Sequence, residues 1–172
     1  SIEVIASDNT WKTNTGPYLF NNLYSGDKYD ARLEKSGWTE TGYEDKNWTD
    51  AKIVEAPAPL VVAQQMPPIR VTGEVKAIEM KSFPDNIRVF KMEKNFSGVC
   101  RIQVKGEKGT RLSVSYGELV HPDGRLNQGN IDVYFQRVKN GMPIHKDPEE
   151  TFQTDVYYLK GGETEEFIPS FT

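Results

Sequence analysis

The sequence predicts an all-β protein, an antiparallel β-sandwich of the jelly-roll type, on three observations. Apolar and polar residues alternate with a period of two along several runs, which is typical of strands with one buried face. Turn signals that contain glycine or proline separate these runs at short intervals. No stretch sustains the i, i+3, i+4, i+7 apolar spacing of an amphipathic helix, so we expect helix to be limited to a turn or two, near residues 43–48. Many short strands joined by turns favour two packed sheets.

Three runs show the clearest alternation. Between residues 27 and 34, tyrosine, alanine and leucine alternate with charged residues, and residues 100–105 and 111–116 repeat the pattern. The Gly-Glu-Lys-Gly segment at 106–109 predicts a hairpin that pairs the second run with the third. His-Pro-Asp-Gly at 121–124 predicts a tight turn. Further predicted strands are residues 2–6, 69–76, 78–83, 87–91, 154–160 and 166–171.

Two irregular segments divide the chain. Residues 54–68 carry four prolines and no alternation, so we interpret residues 53–68 as an extended, proline-rich connector. Residues 1–52 then form the C-terminal part of a preceding β-module, because their first residues read as a strand already in progress. Residues 69–172 form a β-sandwich domain of their own. A second irregular stretch, residues 129–150, predicts a long excursion between strands.

The composition excludes several classes of function. Lys and Arg number 21 against 25 Asp and Glu, a net charge of −4 without a basic run, which argues against binding to nucleic acid or to an anionic membrane. No apolar stretch approaches the roughly 20 residues of a membrane-spanning helix, which predicts a soluble chain. The single cysteine, Cys100, excludes an internal disulfide. The two histidines, His121 and His145, offer little material for a metal centre or a Ser/His/Asp triad. A binding or structural module is therefore favoured.

Several ordered strings carry a resemblance to one enzyme family. In the first third of the chain these are YSGDKYDAR at 24–32, GW at 37–38 and GYEDKNW at 42–48. Later strings are AQQMPPIRV at 63–71, NFSG at 95–98, YGEL at 116–119 with PDG at 122–124, and TDVYYLKGG at 154–162. In this order they resemble the β-modules of bacterial α-L-rhamnosidases, family 78 of the glycoside hydrolases. The chain departs from the family pattern at Glu93-Lys94, where a Gly-Gln pair is usual, and in a longer insertion around 141–150.

The resemblance implies a non-catalytic role. In that family the catalytic carboxylates lie in an α/α barrel that follows these β-modules. This chain is then an accessory region of an inverting hydrolase that removes terminal α-L-rhamnose, and its partners are the barrel and the neighbouring β-modules of the same polypeptide. The resemblance favours a periplasmic or secreted location. No catalytic residue is predicted, because no acidic pair stands out as a general acid and base.

We predict no cofactor, with calcium as an alternative that the resemblance suggests. Some sugar-binding modules of the family hold a calcium ion that bridges to rhamnose. The one tight cluster of oxygen ligands near the N-terminus is Ser7-Asp8-Asn9, and its Asp8 and Asn9 side chains fit the capping of a turn equally well.

A second hypothesis is an autonomous carbohydrate-binding module for rhamnose-containing glycans. Aromatic rings stack on the apolar face of a pyranose, while carboxylate and guanidinium groups bind its hydroxyls. The candidate substrate-binding residues are Tyr24, Asp27, Tyr29, Asp30, Arg32 and Trp38. A structural interpretation competes with this one and is favoured by the alternation. In it Tyr29 and Leu33 face inward, Asp30 and Arg32 pair across a strand or with a neighbouring module, and Trp38 fills a core. A generic adhesion module would explain the fold but not the ordered strings.

Overall fold

The computed structural model describes residues 2–4, 6–131, 138–139, 142–143 and 152–170. Within these residues the regular structure is strand apart from one 3-10 helix, so the all-β prediction is confirmed. No helix in this described part is long and apolar enough to cross a membrane. The elements are β1 (Lys12–Thr13), β2 (Tyr18–Asn22), β3 (Gly26–Asp30), the 3-10 helix (Ala31–Leu33), β4 (Thr49–Asp50), β5 (Glu79–Ser82), β6 (Arg88–Lys91), β7 (Ile102–Val104), β8 (Arg111–Ser115), β9 (Leu119–Val120), β10 (Leu126–Asn127), β11 (Val138–Lys139), β12 (Met142–Pro143), β13 (Thr154–Tyr158) and β14 (Glu165–Phe167).

The chain divides into two compact units. The first comprises Ser1–Gly16 and Glu34–Arg70, and the second comprises Pro17–Leu33 and Val71–Thr172. Residues 17–33 belong to the second unit because β3 forms part of its largest sheet. The sequence-based division into residues 1–52, 53–68 and 69–172 stays a prediction.

The first unit contains little regular structure. Its two short strands, β1 and β4, pair antiparallel, and Lys12 on β1 forms an ion pair with Asp50 opposite it on β4. Between them the chain runs through successive turns, with Tyr43 N donating to Glu40 O (3.2 Å) and Trp48 N donating to Asp45 O (2.8 Å). None of the described residues of this unit is buried.

The second unit is built on a four-stranded sheet in the order β2-β3-β13-β8. The β2–β3 and β13–β8 pairs are antiparallel. Strands β3 and β13, which lie far apart along the chain, run parallel. Four of the five residues of β13 are buried, because this strand has a neighbour on both sides. Three further two-stranded pairs, β5–β6, β9–β10 and β11–β12, are antiparallel.

The core lies between this sheet and the antiparallel pair β7–β14. Tyr157 on β13 and Phe167 on β14 are both buried in one cluster with Ala31 and Leu159. Apolar side chains from β3, β7 and β8 pack against that cluster, namely those of Tyr29, Ile102, Val104 and Leu112. These four residues, which alternation predicts to face inward, therefore meet in a core formed by two sheets. Leu33, which the same pattern also predicts to face inward, is exposed.

The predicted hairpin at 106–109 is wrong. Strand β7 before it pairs with β14, and strand β8 after it pairs with β13, so the segment carries the chain from one sheet to the other. The Gly109 amide donates to the Leu159 carbonyl at 2.8 Å, which ties the segment to the end of β13. Gly161 is required nearby, since its φ is +85° and an added Cβ would lie 2.6 Å from the Lys108 nitrogen.

Other predicted elements had mixed outcomes. The turn at 121–124 is confirmed, because it connects the paired strands β9 and β10. The run from 27 to 34 is a strand only to Asp30, after which the chain turns into the 3-10 helix. The described residues of 2–6 and all of 69–76 form no strand, and their apolar side chains are exposed. The insertion around 141–150, His145, and most of the predicted excursion at 129–150 lie outside the described residues.

Candidate functional site

Strand β3 positions three of the predicted substrate-binding residues, and the first of them, Asp27, is completely buried. Its Oδ1 accepts a hydrogen bond from the Asn21 side-chain amide at 2.7 Å, and its Oδ2 accepts one from the Ser170 backbone amide at 2.7 Å. Both carboxylate oxygens are thus engaged within the second unit.

Asp155 on the neighbouring strand β13 continues this buried network. Its Oδ1 accepts from the Asp27 backbone amide and its Oδ2 from the Tyr116 hydroxyl, each at 2.8 Å. Burial raises the pKa of the Asp155 carboxyl above its ordinary value, and the charge of Asp27 adds to the effect. Burial likewise raises the pKa of the Tyr116 hydroxyl and of the Cys100 thiol, which hydrogen-bonds to Tyr116.

Gly26 makes the contact between β3 and β13 possible. Its φ is +95°, and a Cβ at this position would lie 2.7 Å from Asp155 Oδ1 and 2.8 Å from the Thr154 carbonyl oxygen. Sequence analysis missed Asp155 as a partner of Asp27. The sequence does mark Asp155 as unusual, because it is an acidic residue inside the largely apolar and aromatic run at 154–159. Nothing in the sequence shows, however, that Asp155 lies beside Asp27.

Tyr29 on β3 belongs to an aromatic cluster. Its ring stacks on that of Tyr157 with centroids 5.7 Å apart and planes 14° apart, and Tyr18 packs edge-on against it at 4.9 Å. Phe167 stacks on Tyr157 at 4.7 Å and closes the cluster from β14. The Tyr29 ring therefore packs against the other rings of this cluster.

Asp30 and Arg32 form a two-point ion pair. Arg32 Nε donates to Asp30 Oδ1 at 2.8 Å and Nη2 donates to Oδ2 at 2.6 Å. The Arg32 backbone amide also donates to Oδ1, at 3.0 Å, so the carboxylate holds the turn that ends β3. The two residues therefore pair with each other within one turn, whereas the prediction was a pairing across a strand or with a neighbouring module. The side-chain hydrogen bonds from Arg32 lower the pKa of the Asp30 carboxyl.

The two remaining candidates are exposed. Tyr24 lies in the turn between β2 and β3, in the second unit, with 66% of its surface accessible. Trp38 lies in the first unit and is 60% exposed. The expectation that Trp38 fills a core is therefore wrong. The structure brings Asp30 and Arg32 together, buries Asp27, and packs the partly buried Tyr29 against the core. A role for these residues in sugar binding stays a prediction.

An aromatic cleft lies in the first unit and was not predicted as a site. It has a volume of about 360 Å³. The rings of Tyr43 and Trp48 meet edge-on at 5.7 Å, while Trp11 and Trp38 are half-exposed or more. The sequence contains three tryptophans, and all of them line this cleft. The lining residues are Thr10, Trp11, Lys12, Trp38, Glu40, Gly42, Tyr43, Asp45 and Trp48.

The candidate calcium cluster does not fit the ion as the structure shows it. Both the backbone amide and the hydroxyl of Thr10 donate to Asp8 Oδ1, at 2.8 and 2.6 Å, so Asp8 caps a turn. The Thr10 hydroxyl is the main cause that lowers the pKa of the Asp8 carboxyl. Calcium takes six to eight oxygen ligands, often several of them carboxylates. No group of three or more His, Cys, Asp or Glu side chains suited to a metal occurs among the described residues.

The described acidic residues of β3 and β13 make structural contacts. Glycoside hydrolysis needs two carboxyl groups facing each other across a cavity, about 6.5–9.5 Å apart in an inverting enzyme. Asp27 and Asp155 are buried and hydrogen-bonded, and Asp30 is held by Arg32. The aromatic cleft offers rings and exposed polar groups to a ligand.

Comparisons with known proteins agree on one family. Residues 1–73 match the alpha-L-rhamnosidase N-terminal domain, and residues 81–172 match the bacterial alpha-L-rhamnosidase concanavalin-like domain. The chain is 30% identical over 171 residues to an alpha-L-rhamnosidase of Streptomyces avermitilis, which covers 99% of this chain and 15% of that protein.

Solved structures give the same result. The alpha-L-rhamnosidase of Dictyoglumus thermophilum superposes with a TM-score of 0.82 at 34% identity, over 100% of this chain and 18% of that one. The Streptomyces avermitilis alpha-L-rhamnosidase complexed with L-rhamnose superposes with a TM-score of 0.79 at 30% identity, over 98% of this chain and 15% of that one. The chain thus spans less than a fifth of the length of these relatives.

Proposed function

Since the chain belongs to the bacterial α-L-rhamnosidase family, we propose that it serves as a non-catalytic β-sandwich region of a longer α-L-rhamnosidase and supports or positions its catalytic domain. The longer enzyme would hydrolyse terminal α-L-rhamnose from glycans or glycosides with inversion. One observation carries the proposal: two rhamnosidase domain families match consecutive parts of the chain and together span nearly all of it.

The candidate residues support the same role. The acidic residues Asp27 and Asp30 of β3 and Asp155 of β13 are engaged in hydrogen bonds within the second unit. Carboxylates used in this way hold strands and turns in place, and they are unavailable to a substrate hydroxyl. A module held rigid in this way would stabilise the folded state of a catalytic domain that packs against it.

A truncation tests the supporting role. The complete polypeptide that the gene encodes is compared with the same polypeptide lacking residues 1–172, using an aryl α-L-rhamnoside as substrate. We expect the truncated form to unfold at a lower temperature and to have a lower kcat or a higher KM. An unchanged unfolding temperature together with unchanged kcat and KM would contradict the proposal.

A second candidate function is binding of rhamnose-containing glycans by the chain itself. The aromatic cleft favours it, because Trp11 and Trp38 expose their rings beside polar groups. All three tryptophans lie in the first unit, so their fluorescence reports on this cleft without background from the second. Saturable quenching by L-rhamnose, lost in Trp38→Ala and kept in Tyr24→Ala, would support this function. Unchanged fluorescence up to high millimolar L-rhamnose would exclude it.

A further inference from the structure

The described residues of the first unit form no hydrophobic core of their own. None of its described residues is buried, and only Lys35, Tyr43, Asp45, Trp48 and Ala51 are half-buried. By contrast, every buried apolar residue of the described chain, including Val156, Leu159 and Phe167, belongs to the second unit. Compact units are stabilised by burying apolar side chains from two packed layers. The described part of the first unit therefore exposes apolar side chains that a compact unit would bury against a second layer.

The largest apolar surface of this unit is residues 53–70, which we call the apolar segment. Glu55 and Arg70 are its only charged residues, so its net charge is zero. Seven large apolar side chains within it are each at least 68% exposed: Ile53, Val54, Leu60, Val61, Val62, Met66 and Ile69. Isolated exposed apolar residues are ordinary, but a contiguous set of this size marks a surface that another protein surface covers.

The backbone of the apolar segment is also unpaired. Within the described part of the chain, no strand pairs with residues 53–70 and no backbone hydrogen bond joins them to another residue. Between its two proline pairs, residues 60–66 contain no proline, so each of their amides is able to donate to a neighbouring strand. Apolar side chains together with free backbone groups are the requirements for adding a strand to an existing sheet.

We propose that the apolar segment docks on a β-sheet contributed by another part of the same, longer polypeptide, with residues 60–66 as the added strand. This inference rests on the proposed function, which places the chain within a longer α-L-rhamnosidase. The relatives are more than five times longer than the stretch they share with this chain, so each contains ample further polypeptide to supply the sheet. The N-terminal rhamnosidase domain matches residues 1–73, which include the whole apolar segment.

An apolar surface without net charge fits a permanent partner in the same polypeptide better than a partner that binds and dissociates. Permanent interfaces resemble a domain core cut in half, whereas transient interfaces keep charged residues at their rim. A sugar is a poor occupant here, because the segment carries no aromatic residue and only one acidic residue. The occupant is therefore a polypeptide with an apolar face and an open strand edge.

Hydrogen exchange compares the 172-residue chain with the complete encoded polypeptide. In the chain alone we expect the amides of residues 60–66 to exchange without protection, while those of β13 are protected. In the complete polypeptide we expect the amides of residues 60–66 to exchange at least about tenfold more slowly. Equally fast exchange in both would overturn the proposal, as would protection that disappears on dilution, which would indicate a second copy of the chain.

A matched pair of variants adds a second readout. Val62→Asp and Gln65→Asp both place a charge at an exposed position of the same segment. In a strand over residues 60–66, Val62 shares the apolar face of Leu60 and Met66, whereas Gln65 lies on the opposite face. In the chain alone we expect both variants to leave the unfolding temperature unchanged. In the complete polypeptide we expect Val62→Asp alone to lower the unfolding temperature and to speed exchange at residues 60–66. A loss already present in the 172-residue chain would mean that this chain covers the segment itself, and would overturn the proposal.

The two proposals fail in different ways. If removing residues 1–172 leaves activity and stability unchanged, the supporting function fails. If that removal is harmful but residues 60–66 stay unprotected in the complete polypeptide, only the docking of the apolar segment fails.

Discussion

Asp30 and Arg32 show how single residues decide between a binding site and a structural role. Asp30 ends β3 and Arg32 lies two residues later in the 3-10 helix, where its guanidinium reaches the Asp30 carboxylate in two-point contact. Arg32 also lies over the Tyr158 ring, with its guanidinium carbon 5.5 Å from the ring centroid. These contacts leave the pair occupied with each other, which was foreseeable from residue type and spacing.

Arg32→Ala should therefore lower stability. The variant leaves the nearly buried Asp30 carboxylate without its partner, so we expect a measurable loss in the free energy of unfolding, limited by the solvent exposure of the arginine. Arg111→Ala, at an exposed position of β8, is the control and should cost less than about 0.5 kcal/mol. Denaturant unfolding at neutral pH measures both. Unchanged stability with loss of L-rhamnose binding would instead assign Arg32 to a sugar site.

Glu165 is a buried acid whose role the sequence does not reveal. Its Oε2 accepts from the Tyr157 hydroxyl at 2.9 Å and from the Lys160 amide at 3.0 Å, and its Oε1 accepts from the Gly161 amide at 2.9 Å. Burial alone would raise the pKa of this carboxyl, but the two backbone amides and the hydroxyl outweigh burial and lower the pKa. The carboxylate thus fixes the turn between β13 and β14.

The lowered pKa predicts a pH-dependent contribution to stability. Because the folded pKa lies below the ordinary value of 4.5, the contribution is complete above that pH and is lost as the pH falls through the folded pKa. Glu165→Gln should cost about 1–3 kcal/mol at pH 7, and less at pH 3. Glu166→Gln, at the exposed neighbouring position, should change little at either pH. A wild-type-to-Glu165→Gln difference that is the same at both pH values would contradict this assignment.

In strands β7 and β8, the alternation of apolar and polar residues predicts which side chains face the core but not which strands pair. A period of two identifies the inward face, and Ile102, Val104 and Leu112 do pack against the core as that pattern requires. Alternation carries no information about the neighbour of a strand, and a four-residue Gly-rich segment suits a hairpin as well as a crossing between sheets. The pairing of β3 with β13 likewise depends on contacts across more than 120 residues.

The end of β3 was misjudged for a local reason. Residues 27–34 alternate throughout, but the Asp30 carboxylate accepts the Arg32 backbone amide, and such a bond turns the chain out of the strand. The predicted strands at 2–6 and 69–76 alternate too, yet no described strand lies beside them. Local pattern is sufficient for a strand only where the fold supplies a neighbour.

A set of core substitutions tests the two-sheet arrangement. Leu112→Ala on β8 and Ile102→Ala on β7 each remove a partly buried side chain that packs against the same cluster, so we expect losses of about 2–3 kcal/mol each. Ser113→Ala, on the exposed face of β8, should cost less than about 0.5 kcal/mol. Denaturant unfolding curves give all three values. Equal losses at Leu112 and Ser113 would mean that the facing residues are assigned wrongly.

In the molecule as a whole, the two units differ in how far the described residues bury their apolar side chains. The second unit has a continuous core and buried acids that are hydrogen-bonded, and no buried side-chain nitrogen or oxygen among the described residues lacks a partner. The first unit has exposed tryptophans and an exposed apolar segment. The family could be identified from ordered strings in the sequence, but the open surface of the first unit could not, because periodicity does not reveal whether a partner layer is present.

If this chain is a non-catalytic part of an α-L-rhamnosidase, the purified 172-residue chain should not release the aryl group of an aryl α-L-rhamnoside. We expect release no faster than in buffer, at any pH at which the second unit remains folded, because its buried carboxylates are hydrogen-bonded within the protein. Release above the buffer rate that disappears when one carboxylate of this chain is replaced by its amide would contradict this expectation.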